Sequence, residues 1–112
     1  MRHEKPRPIS KEEAVKVLQS NDAQVLCEAI ISLALYEPDW EWVEREAIAL
    51  SKHSDANVRG VAATALGHLV RLHEHISSRE VISTLNRLLS DPQTSRRAED
   101  ALSDIEIFLK AG

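Results

Sequence analysis

The sequence of 112 residues carries 18 acidic side chains against 14 lysines and arginines, which gives a net charge of −4 at pH 7. This acidic balance argues against a nucleic-acid backbone as the main ligand and is compatible with a basic protein partner. Three glycines and four prolines leave little room for a turn-rich β fold, and the length suits one domain.

Cysteine content and apolar patterning indicate the compartment. The sequence holds one cysteine, Cys27, which cannot form an internal disulfide, so a reducing compartment is expected. Residues 1–8 are charged and lack the apolar core of a signal peptide. No apolar run approaches the length of a membrane span. The sequence therefore predicts a cytoplasmic protein that binds no membrane.

The N-terminal residues 1–9 carry basic side chains and two prolines, so we expect a basic flexible arm ahead of one domain spanning residues 10–112. The first helix is predicted to begin at Ser10, because Glu13 completes a capping box with it. Its buried side would consist of Ile9, Val15 and Leu18.

The second helix, residues 23–35, is apolar on all sides. Val25, Leu26 and Ile31 cannot share one narrow stripe with the rest of its apolar residues. Either the first helix and the arm cover the surplus, which we favour, or another chain does. Cys27 is interpreted as a small hydrophobic residue, because no His or Asp neighbours it at helical spacing.

An acidic run follows, in which Asp39 is predicted to cap a third helix. The buried stripe of this helix would be Trp40, Val43, Ala47 and Leu50. The run contains a single arginine and five carboxylates, which are those of Glu37, Asp39, Glu41, Glu44 and Glu46. Trp42 lies at the edge of the stripe. It either packs between repeats or serves as an aromatic anchor among acids, a composition typical of a binding hot spot for a basic partner.

The fourth helix is predicted to follow Asp55 as its N-cap and to be central. Its buried side is formed by Val58, Ala62, Ala65, Leu66 and Leu69. These residues are mostly small, and Gly67 adjoins them, so another helix can approach closely.

Beyond this stripe, His68 and His75 share a face with Arg71 between them, whereas His73 points elsewhere. A zinc site needs three or four ligands in a closed geometry. We therefore expect a solvent-facing cluster and no metal site.

Two further helices are predicted after this cluster. Ser77 or Ser78 would begin the fifth helix, with Val81, Leu85, Leu88 and Leu89 buried. Asp91 and Pro92 mark the start of the sixth. Its inward residues would be Ala98, Ala101, Leu102, Ile105 and Leu109.

An internal repeat relates the second, fourth and sixth helices. Alignment on Asp22, Asp55 and Asp91 superposes Val25, Val58 and Thr94, then Ala29, Ala62 and Ala98, then Leu33, Leu66 and Leu102, then Tyr36, Leu69 and Ile105. The offsets of 33 and 36 residues are typical of stacked arrays.

The run Asp55-x-x-Val58-Arg59-x-x-Ala62-x-x-Ala65-Leu66-Gly67 resembles the second helix of a short HEAT repeat of the PBS-lyase-like kind. The outer units depart from it, with Leu26 and Ser95 in the place of Arg59. The resemblance implies an all-α fold, a three-repeat HEAT-like α-α superhelix of about six helices in antiparallel pairs. The pairs would be Ser10–Tyr36, Asp39–His75 and Ser77–Leu109.

In such a stack the second helices line a concave face. The row nine and thirteen residues after each leading Asp would be Ile31 and Leu35, then Thr64 and His68, then Asp100 and Asp104. Exposed carboxylates one turn apart lack the desolvated environment that catalysis needs. Because no nucleotide-binding or nucleophile motif accompanies them, we expect neither an enzyme nor a cofactor.

Small acidic HEAT-like bacterial proteins include immunity proteins of contact-dependent growth inhibition, and this chain resembles them. The resemblance implies a protein that is monomeric when free and neutralises a cognate nuclease toxin by occluding its basic active-site cleft, without touching nucleic acid. The expected partner-binding residues are Glu37, Asp39, Glu41, Trp42, Glu44, His68, Arg71, Asp100 and Asp104. The alternative is a non-inhibitory HEAT-like adaptor, or a relative of the lyase-type HEAT proteins.

Overall fold

The computed structural model describes residues 8–74, 76 and 78–110. These residues form six α-helices and no strand, which confirms the all-α prediction. The helices are α1 (Lys11–Val17), α2 (Ala23–Tyr36), α3 (Trp40–Leu50), α4 (Ala56–His73), α5 (Ser78–Leu89) and α6 (Ser95–Lys110). Most of the predicted arm, together with His75 and Ser77, lies outside the described residues.

Side-chain caps fix the starts of the first four helices. The Oγ atom of Ser10 accepts a hydrogen bond from the backbone N–H of Glu13 at 3.0 Å, as the capping box predicts. Asp22, Asp39 and Asp55 each accept from one or two backbone N–H groups in the first turn that follows them. These bonds satisfy donors that have no partner within the helix, so sequence and local structure agree here.

The start of α6 differs from the prediction. The helix begins at Ser95, and the Asp91 carboxylate accepts from the N–H of Gln93 at 2.9 Å in the turn ahead of it. The buried Thr94 hydroxyl donates to the carbonyl of Leu88 at 2.7 Å and so ties this turn to the end of α5. Asp91 therefore closes a turn instead of capping the helix itself.

Arg59 joins this turn to the loop ahead of α4. Its Nη1 donates to the carbonyls of His53 and Ser54 at 3.0 and 2.9 Å, and its Nη2 donates to Asp91 Oδ2 at 3.2 Å. The arginine of the central repeat thus has a structural role, because it holds neighbouring repeats in register.

Helix α4 is the centre of the fold, because it packs against α2, α3, α5 and α6. Its predicted stripe of Val58, Ala62, Ala65, Leu66 and Leu69 is fully buried. A Cβ atom placed on Gly67 would lie 3.4 Å from the Cα of Ala101, so α6 does approach α4 closely at this glycine.

Helices α4 and α6 run in the same direction. Gly60 lies against Arg97, and seven residues further along α4 Gly67 lies against Ala101 and Asp104. These two helices therefore share one orientation, as the repeat predicts for them. The domain measures 34 × 30 × 28 Å, so its helices form a nearly isometric body. Membership of the HEAT superhelices stays a prediction.

Contacts within this chain bury much of the apolar surface of α2. Leu26, Ile30 and Leu33 are buried, whereas Val25, Ile31 and Leu35 are half-buried. Helix α2 packs against α1, α3 and α4, which cover part of its surplus apolar surface and leave Val25, Ile31 and Leu35 partly exposed.

Two predicted core positions are wrong. Val15 is exposed and Ala14 is buried instead, because the seven-residue α1 offers α2 only a narrow contact. Leu89 is exposed at the end of α5, and Tyr36, which the repeat aligns with the buried Leu69 and Ile105, is exposed at the end of α2. The side chain of Leu109 lies outside the described residues.

No helix among the described residues combines the length and the apolar character that crossing a lipid bilayer requires.

Candidate partner-binding surface

The first group of predicted site residues follows α2 and begins α3, and we call Glu37, Asp39, Glu41 and Trp42 the acidic edge. Asp39 Oδ1 accepts from the backbone N–H of Trp42 at 3.3 Å, and Glu37 Oε2 accepts from the N–H of Asp39 at 2.9 Å. These two carboxylates are therefore partly used to build the turn. Glu41 is exposed.

A lysine that the sequence analysis did not assign to this site sits on the acidic edge. Lys11 Nζ donates to Asp39 Oδ2 at 2.7 Å and lies 4.8 Å from the centre of the Trp42 ring. The hydrogen bond from Lys11, and then that from the Trp42 backbone, lower the pKa of Asp39 below its usual range. The edge is consequently less negative than its sequence indicates, and Trp42 is half-buried.

Glu44 does not belong to this surface. Its exposed fraction is 2%, because its side chain lies on the buried face of α3 together with those of Val43 and Ala47. The predicted assignment of Glu44 to a partner interface is therefore wrong for the free protein.

The second group bridges α4 and α6, and we call His68, Arg71 and Asp104 the α4–α6 cluster. Arg71 Nε lies 4.0 Å from Asp104 Oδ2, and its Nη2 contacts His68 Nδ1. A guanidinium can only donate, so Nδ1 of His68 is the acceptor and carries no proton in this arrangement. Asp100, one turn before Asp104, is exposed and completes the predicted set.

Burial, and then the positive charge of Arg71, lower the pKa of His68 below its ordinary value, while Asp104 opposes the shift. His68 is accordingly neutral near pH 7, which agrees with its role as acceptor. The cluster presents one cation and one anion that nearly compensate each other, together with a neutral imidazole.

The two groups lie at the same end of the domain. The ring of Trp40, in the first turn of α3, stacks on that of His73, in the last turn of α4, with centroids 6.4 Å apart and planes at 29°. Helix α3 therefore begins near the end of α4, so the acidic edge and the C-terminal turns of α4 lie at the same end of the domain.

Apolar side chains at this end were missed by the sequence analysis. Leu72 is 53% exposed and Phe108 36% exposed. They stand four residues beyond His68 and Asp104, so each continues the predicted row by one helical turn. Extending the repeat alignment from thirteen to seventeen residues after the leading Asp would have found both.

The described residues hold no group of three His, Cys, Asp or Glu side chains that could bind a metal ion. Cys27 is half-buried, and desolvation, followed by the negative charge of Asp55, raises the pKa of its thiol. A raised pKa makes the thiolate scarcer, so the thiol is a poor nucleophile at neutral pH.

No protein-family model matches the chain, and no curated protein does. Among solved structures, a protein in the crystal structure of a CDI complex from Cupriavidus taiwanensis LMG 19424 shares 31% sequence identity and superposes with a TM-score of 0.87. The match covers 96% of this chain and 97% of that one. This chain belongs to the same family as that CDI-complex protein.

The extent of the match defines what the family shares. Because nearly all of both chains is aligned, membership in the CDI-complex family rests on the six-helix domain described above and not on one helix pair.

Proposed function

We propose that this protein is an immunity protein of a contact-dependent growth inhibition system, which binds a cognate toxin and neutralises it. The observation that carries the proposal is the family relationship, over nearly the full length of both chains, with a protein of a CDI complex. Contact with the toxin inside the cytoplasm, without catalysis, cofactor or membrane, would suffice for this role.

Charge supports a basic partner. The chain has a net charge of −4, and the carboxylates of Glu37, Glu41, Asp100 and Asp104 are exposed or half-buried. A nuclease uses lysines and arginines to hold phosphates, and these acids would pair with them in place of the substrate. Such pairing speeds encounter and weakens with salt. We therefore propose occlusion of a basic nuclease cleft by this surface.

Co-expression with the cognate toxin tests the proposal. Wild-type protein should restore growth and bind the purified toxin. Both Asp100→Lys/Asp104→Lys and Glu37→Lys/Glu41→Lys should weaken binding, with the loss falling mainly on the association rate. The matched control is Glu28→Lys/Glu80→Lys, which makes the same charge change at exposed acids elsewhere.

The possible outcomes test the immunity role and the assignment of these acids to the interface separately. If wild-type protein neither protects cells nor binds the toxin, the immunity role fails. If both folded acid variants bind as well as the control, these acids are not in the interface. Equal losses in all three variants would show that net charge, and not this surface, determines binding.

A further inference from the structure

Exposed apolar side chains concentrate at one end of the domain. The described residues include seven large hydrophobic side chains that are exposed, of which four lie at the C-terminal ends of the second helices. These four are Tyr36, Leu72, Ile107 and Phe108. The other three are spread over α1 and α5. Apolar clusters bordered by charge mark interaction sites more often than isolated apolar residues do.

Two of these residues lie near the C-terminal ends of the neighbouring helices α4 and α6. The helices run in the same direction and approach closely at Gly67 and Ala101. Leu72 is five residues beyond Gly67, and Phe108 is seven beyond Ala101, so the two lie at similar heights on neighbouring helices. Each also ends a row of i, i+4 positions, so both face the side of the layer that carries His68 and Asp104.

The charge around this apolar pair is asymmetric. Arg71 is drawn toward His68 and Asp104 and is thereby largely compensated. Asp100 has no such cation across the α4–α6 contact among the ion pairs of the described residues, and it is exposed. A partner side chain seated on Leu72 and Phe108 would therefore lie within one or two helical turns, roughly 6–12 Å, of the Asp104 and Asp100 carboxylates.

We propose that Leu72 and Phe108 form the apolar anchor site of the interface and receive an apolar side chain of the toxin that is flanked by a lysine or arginine. The basic residue would pair with the carboxylates of Asp100 and Asp104. This inference rests on the proposed function, which supplies the occupant. It adds that apolar contact holds the complex together, while the acids guide its formation.

Binding kinetics distinguish the contribution of the apolar anchor site from that of the acids. Leu72→Glu, and separately Phe108→Ser, should weaken binding to the purified toxin about thirtyfold or more, chiefly through faster dissociation. Asp100→Asn should mainly slow association and reduce its salt dependence. The matched control is Leu89→Glu, the same change at another exposed leucine at the end of a helix, and it should alter affinity less than about threefold.

Circular dichroism and cooperative unfolding must show that each variant folds, and Leu72→Ala replaces Leu72→Glu if the latter does not. Folded Leu72 and Phe108 variants that dissociate as slowly as wild type would overturn the anchor site while leaving the immunity role intact. Absence of binding by the wild-type protein would instead remove the proposed function.

Discussion

A Cβ atom at Gly67 would lie 3.0 Å from Oδ2 of Asp104. The missing side chain therefore lets the Asp104 carboxylate rest against α4, where it comes within 4.0 Å of Arg71 Nε. Close packing of α4 on α6 and assembly of the α4–α6 cluster thus depend on the same glycine. A residue chosen for packing also positions the charged groups of the candidate surface.

Gly67→Ala should lower the free energy of unfolding by about 1 kcal/mol. Alanine gains about 1 kcal/mol of helix propensity over glycine, but overpacking costs about 1–3 kcal/mol because the Asp104 carboxylate, 3.0 Å from the added Cβ atom, must shift. Chemical denaturation gives the value directly. The loss should be smaller in an Asp104→Ala background, since that carboxylate is then absent.

Gly60→Ala provides the contrast within the same helix. A Cβ atom there would lie 2.9 Å from Cδ of Arg97, an exposed side chain that can turn toward solvent. This substitution should be neutral or stabilise the protein by up to about 1 kcal/mol. If Gly60→Ala destabilises the protein as much as Gly67→Ala does, displacement of the Asp104 carboxylate is not the cause of the Gly67 effect.

The features that the sequence predicted correctly are local. Ser10, Asp39 and Asp55 cap their helices because the bonds involved span two or three residues, and spacing alone identifies them. The buried stripe of α4 could also be predicted, because helices pack against α4 on several sides. An error in choosing which side of this helix is buried therefore has little effect.

The features that could not be predicted from the sequence depend on residues that are distant in the chain. Lys11 reaches Asp39 across 28 residues, and no pattern within α1 or α3 announces the pair. Glu44 is buried although its type favours solvent, since the width of the buried face of α3 is set by the helices around it. Leu72 and Phe108 lie one helical turn beyond the aligned row, so the repeat could have indicated both, but their exposed fractions of 53% and 36% depend on how far the neighbouring helices extend.

Lys11→Ala should raise the pKa of Asp39 toward its ordinary value, because the hydrogen bond from Lys11 is the main cause of the lowered pKa. An NMR titration of the Asp39 carboxyl carbon measures this shift. The control is Lys16→Ala, which removes an equal charge in the last turn of α1. Lys11→Ala also leaves the acidic edge more negative, so association with a basic toxin should become roughly two- to fivefold faster at low salt. An unchanged Asp39 pKa would show that the contact does not persist in solution.

Protonation of His68 should weaken the fold below about pH 7. Its pKa in the folded protein is lowered, first by burial and then by Arg71, whereas an unfolded histidine titrates near 6.5. Below that value the unfolded state binds more protons, so the free energy of unfolding falls as the pH falls. The protonated ring would also lose the Nδ1 lone pair that accepts from Arg71.

Denaturation at constant ionic strength between pH 7.5 and 5.5 therefore compares wild type with His68→Gln, whose amide oxygen can accept from Arg71 without titrating. The wild type should lose more stability over this interval than the variant, and the difference between them isolates His68 from the other titrating groups. Arg71→Gln should reduce the wild-type dependence without abolishing it, since burial is the larger cause of the lowered pKa. Parallel pH profiles for wild type and His68→Gln would contradict this account and would mean that the imidazole is solvated as in the unfolded chain.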